Sequence, residues 1–135
     1  MELVLYGVVK FVAYSLWGYC GYRLHSANSS LFAKSLRFGA VRWVIGLGLG
    51  VVLFFLVGSI DQGQALFDYL TIYIPVRIFE WTLMAGLFFP DWNEKWRRRS
   101  LYYWIAAGVI LSFLTDFVSP QMVGEGRFCV GRCLC

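Results

Sequence analysis

The chain predicts an all-α fold, an integral membrane four-helix bundle with short loops. Composition, four long apolar windows and the lack of alternation within them lead there. Of 135 residues, 59% are hydrophobic, 19% aromatic and 15% charged. Soluble domains carry about 25% charged residues and are about 45–50% apolar even with glycine counted. So short a chain has too small a core to hide this much apolar surface from water. Lipid is the solvent that suits it. The composition excludes disorder and a small secreted disulfide scaffold. Nucleic acid is not an expected partner, despite the net charge of +4.

A hydrocarbon layer about 30 Å thick takes about 20 apolar residues per helix. Windows at 3–22, 38–60, 65–89 and 101–118 qualify. Strands of a membrane barrel would alternate polar and apolar residues over about ten positions. These windows do not alternate, so they are read as helices.

The first window has no basic n-region, since Glu2 precedes it and Lys10 lies inside it. It is also longer than a signal-peptide core, and so reads as a retained membrane helix. Ser26-Ala27-Asn28-Ser29-Ser30 ends the run, and 31–37 reads as a short interfacial helix leading into the second window. Asp61-Gln62-Gly63-Gln64 makes a tight turn before the third. Pro90-Asp91 closes the third window and Ser119-Pro120 the fourth. Proline lacks an N–H and disfavours helix in the residue before it. Residues 1–120 therefore form one four-helix domain, followed by a cysteine-rich tail over 121–135.

Basic residues in short loops set orientation. The first connection carries Arg23, Lys34 and Arg37, with Arg42 just inside the second helix. The third carries Lys95, Arg97, Arg98 and Arg99, whereas the second has acidic residues only. Connections one and three are then cytoplasmic, and both termini non-cytoplasmic. Asn28-Ser29-Ser30 matches a glycosylation acceptor but faces the cytoplasm in this topology.

Ionisable groups inside the helices are the candidate site. A central Arg, Lys or Asp costs about 2.5–3.5 kcal/mol on insertion scales, so such groups turn toward the bundle interior. Lys10, Arg77 and Glu80 lie well inside, with Arg42, Asp68 and Asp116 nearer the ends. Arg77 and Glu80 are three apart and share a face, which Tyr73 and Met84 extend. Pro75 leaves the carbonyl of Thr71 without its helical donor. A polar pair beside a freed carbonyl is raw material for a binding site in a membrane. Lys10 shares a face with Tyr6, Gly7, Ala13, Tyr14 and Trp17. Its depth pairs it with Asp116 or Asp68, leaving Arg77 and Glu80 as a separate central pair. Both sets can also serve only to hold helices together, and Lys10 can snorkel to the interface.

Gly46 and Gly50 have the spacing of close helix packing, within one chain or in a homodimer. Trp92, Trp96, Arg97, Arg98 and Arg99 interleave aromatic and basic groups, as an anchor among anionic lipid headgroups does. Cys129, Cys133 and Cys135 crowd the tail. A disulfide, a soft metal, lipidation and an unstructured tail all remain open there. The CxxxCxC spacing, with no histidine nearby, is not that of a zinc site.

No phosphate loop, dinucleotide fingerprint, zinc-protease or serine-hydrolase motif occurs, and no cofactor is expected. Two function classes follow. One is a non-catalytic membrane component: an accessory subunit of a membrane complex, or a small solute transporter, working as a homodimer or within a larger assembly. The other is an intramembrane enzyme acting on a lipid-linked or anionic amphiphilic substrate. There Glu80 is the acid or base, Arg77 the anion clamp and Tyr73 a donor.

Overall fold

The computed structural model describes residues 2–25, 30–57, 66–89 and 98–119. They form four helices: α1 (Glu2–His25), α2 (Leu31–Val57), α3 (Leu66–Phe88) and α4 (Arg98–Asp116). No strand occurs among the described residues. Each helix packs against the next, and α4 closes the ring on α1, with α1 and α2 sharing the most extensive contact.

Three local features refine the sequence reading. First, α2 starts at Leu31 and absorbs the expected interfacial segment. Nothing in 31–37 breaks a helix, and the Lys34 amide already donates to the Ser30 carbonyl at 3.3 Å. Ser35 turns its hydroxyl onto the Phe32 carbonyl at 2.7 Å, satisfying it locally. Second, α3 runs unbroken through Pro75. Third, α4 begins at Arg98, and after Asp116 its last turn tightens as the Ser119 amide donates to the Asp116 carbonyl at 3.0 Å.

The buried positions recur every three or four residues, the period of one helix face. On α3 the face is Tyr73, Arg77, Glu80, Trp81, Met84 and Ala85, and on α4 it is Trp104, Ile105, Gly108, Ser112, Thr115 and Asp116. Outward faces are apolar. Leu5, Val8, Val12 and Leu16 of α1 are exposed, as are Val44 and Phe55 of α2. So are Ile78, Phe79 and Leu87 of α3, and Ile110 and Leu114 of α4. The usual arrangement of a soluble bundle is thus reversed in part, with charges in the centre and apolar groups outside.

Among the described residues, two helices are long and apolar enough to cross a membrane: α2 over Leu31–Leu53 and α3 over Leu70–Phe88. Four such spans are expected from the sequence windows. By the same measure α1 and α4 fall short. Lys10 and several tyrosines lower the hydropathy of α1, and Arg98, Arg99, Tyr102, Tyr103 and Asp116 lower that of α4.

Glycine sets the closest approaches. At Gly39 of α2 a Cβ would collide with Ser15 Oγ and come within 3.1 Å of the Phe11 carbonyl of α1. At Gly108 of α4 it would come within 2.7 Å of the Trp81 ring. The α1–α2 approach lies at Gly39, two turns before the predicted Gly46–Gly50 step. Gly46 faces the interior, near Arg42 and Glu80.

Candidate functional site

The inward charges form one network drawn from all four helices. Asp116, at the end of α4, is its first node. Lys10 Nζ of α1 lies 2.7 Å from Asp116 Oδ1, and the Tyr6 hydroxyl donates to the same oxygen at 3.0 Å. Arg77 Nη2 of α3 donates to Asp116 Oδ2 at 3.0 Å. Glu80 is the second node. Its Oε2 accepts from Arg77 Nη1 at 3.1 Å and from Arg42 Nη2 of α2. Arg77 therefore bridges the two carboxylates.

This geometry corrects two expectations. Lys10 meets Asp116, one of the two partners that its depth indicates. However, Arg77 and Glu80 do not stand apart as a separate pair, because Arg77 also reaches Asp116. Arg42 is not a topology charge near a helix end. It is fully buried and holds Glu80. The sequence signal was present: with α2 starting at Leu31, Arg42 falls well inside the helix, where a cation needs an inward partner.

The freed-carbonyl element is also corrected. Thr71 and Pro75 lie on the exposed side of α3, whereas Tyr73, Arg77 and Glu80 are buried. At 3.6 residues per turn, two positions apart point to nearly opposite sides. Pro75 therefore does not border the charge network.

Aromatic rings clothe the cations. Lys10 Nζ sits 4.4 Å from the centre of the Tyr6 ring, and Arg77 Cζ 5.7 Å from that of Tyr73. Arg42 Cζ lies 4.9 Å from the Tyr14 ring and 5.2 Å from the Trp81 ring. Cation–π attraction strengthens when the pair is desolvated, to about 2 kcal/mol. Ser112 ties this layer to α4. Its Oγ accepts from Trp81 Nε1 at 3.0 Å and donates to the Gly108 carbonyl at 3.1 Å. Met84 lies further along the α3 face, in an apolar layer.

Beyond Trp81 the interior is mainly aromatic, with Met84, Ala85 and Ile105 among the rings. Phe38 stands at its centre, with ring centroids of Phe88 at 5.2 Å, Trp104 at 5.9 Å and Trp81 at 6.1 Å. Trp17 stacks on Trp104, and Tyr22 packs against Phe89 with centroids 4.9 Å apart. The network is therefore closed at this end. At the other end it comes nearest the surface at Lys10, whose side chain retains 12% exposure.

Other predicted residues lie away from this site or outside the described residues. Arg99 is exposed at the start of α4. The side chains of Arg98 and Asp68 lie outside the described residues, as do Trp92, Trp96 and Arg97. Cys129, Cys133 and Cys135 lie outside them too, so the disulfide, metal and lipid readings of the tail stay open. Cys20 is a free, exposed thiol. No group of three metal-ligating side chains occurs among the described residues. No known family model matches the chain, and neither does any curated protein or solved structure.

Proposed function

We propose that the chain is a multi-pass membrane protein with a non-catalytic role. It is a small solute transporter or an accessory subunit, and its buried ion network is the working part. The carrying observation is the reversed bundle: five charged side chains meet at the centre of four helices whose outer faces are largely apolar. Water would reward the opposite arrangement, whereas lipid rewards this one. Hydropathy averaged over a whole helix counts the inward Lys10 of α1 and the arginines at the start of α4, a position where basic side chains reach the headgroups. In this reading all four helices span the bilayer, and the basic connections place both termini on the non-cytoplasmic side. Anionic headgroups hold the Trp92–Arg99 segment.

The second class, an intramembrane enzyme, finds less support. Glu80 is held by two guanidinium groups and is almost completely buried. That setting favours a fixed carboxylate over an acid or base that meets a substrate.

Alkaline carbonate washing of membranes tests the insertion, which requires the chain to stay in the pellet. Intact mass after extraction in mild detergent tests the role. Co-purifying chains identify an accessory subunit. A monomer or homodimer with a bound solute identifies a transporter. Recovery in the carbonate supernatant would sink the membrane reading.

A further inference from the structure

The ligand class of this network can be narrowed further, on the reading that the bundle is a membrane protein with a working ion core. Arg42 is fully buried, yet only its Nη2 is engaged, with Glu80 and, at 3.5 Å, with Ser112. Its Nε and Nη1 have no hydrogen-bond acceptor among the described residues. The Tyr14 hydroxyl, on one of the rings that flank the guanidinium, is buried and likewise without a partner. Buried polar hydrogens are rarely left unmatched, and in hydrocarbon no bulk water can serve them.

We propose that Arg42, Tyr14 and Gly46 frame a site for one small inorganic anion such as chloride. Charge and position each carry part of this. Among the described residues, the network sets three cations against two carboxylates. The Arg42 donors left over ask for an acceptor, and an anion is the strongest kind. Gly46, one turn beyond Arg42, gives the position. A Cβ there would stand 3.3 Å from Arg42 Nη1 and 3.9 Å from Glu80 Oε1, its nearest neighbours. The missing side chain leaves Nη1 uncovered at this position. Rings of Tyr14 and Trp81 flank the guanidinium. Glu80 Oε1 opposes an anion there, so the carboxylate competes with the ligand for Arg42.

The competition makes the site testable. The full chain is purified in mild detergent with sodium gluconate. Its thermal unfolding is followed by tryptophan fluorescence as chloride replaces gluconate at constant ionic strength. A ligand that binds only the folded state raises Tm, by about 4 °C at tenfold over Kd for a chain this size. Wild type is expected to show this saturable rise. Gly46→Val fills the position and should abolish it. Glu80→Gln removes the competitor and should make the rise larger. A Tm in wild type that does not depend on chloride overturns the proposal, since water would then suffice for Arg42. An equal rise in wild type and Gly46→Val overturns it as well. Should Glu80→Gln fail to fold, wild type and Gly46→Val still decide. A chain that carbonate strips from membranes but that keeps the chloride-dependent rise would lose its membrane role and retain the site.

Discussion

The two halves of the bundle interior are built on opposite rules. In the half where α1 begins, Lys10, Arg42, Arg77, Glu80 and Asp116 meet through directed, charged hydrogen bonds. In the half where α1 ends, Tyr22, Phe38, Phe89 and Trp104 fill space with rings. Both halves are buried and both draw on all four helices. The difference teaches what each contributes. Rings reward volume and tolerate neighbours of similar size. Ion pairs reward one pairing only, and an orphaned partner in a dry core is costly. The aromatic half gives the bundle cohesion, and the charged half fixes helix register and offers chemistry. Trp81 joins them, with one edge bonded to Ser112 and its ring packed against Trp104 at 5.3 Å.

The sharpest way to break this comparison is a substitution that keeps shape and removes charge. Glu80→Gln should destabilise the bundle by about 3–5 kcal/mol, the cost of an orphaned buried pair, read as a large fall in Tm in detergent. A change under about 1 kcal/mol would mean that the charged half packs by shape alone. Phe38→Ala opens the aromatic half at its centre and should cost about 3 kcal/mol. The same thermal melts would read it, and a negligible effect would show that this half collapses freely. Gly39→Val presses on Ser15 and the Phe11 backbone, where α1 and α2 approach most closely. An expected loss of about 2 kcal/mol is checked by chemical unfolding in mixed micelles. Smallest is Tyr6→Phe, which removes one hydrogen bond to Asp116 that Lys10 and Arg77 already serve. The loss should be about 0.6 kcal/mol, the average for such bonds inside membranes. A loss as large as that of Glu80→Gln would mean that Tyr6, not the ion pairs, organises this end.

Much of this was legible in the residues. The spacing of Arg77 and Glu80 places them on one face, and the depths of Lys10 and Asp116 bring them to one level. Arg42 was not legible, because hydropathy places the start of the second window at Phe38. The charged residues Lys34 and Arg37 lower the average, although they do not break the helix. Taken from Leu31, the same helix carries Arg42 to its middle. Pro75 misled for a related reason. Neighbours in sequence are not neighbours on a helix surface, and Pro75 faces away from Arg77.

By itself, the sequence determined that this chain is helical and apolar, and that its few inward charges need partners. Those properties follow from composition and from a period that each helix carries alone. Only the tertiary structure decided that five charges make one network, that Arg42 belongs to it and that an aromatic plug closes it. Such facts depend on which helices are adjacent and on their relative height. A pairing across the bundle is energetically decisive, yet it leaves no spacing in the chain from which it can be read.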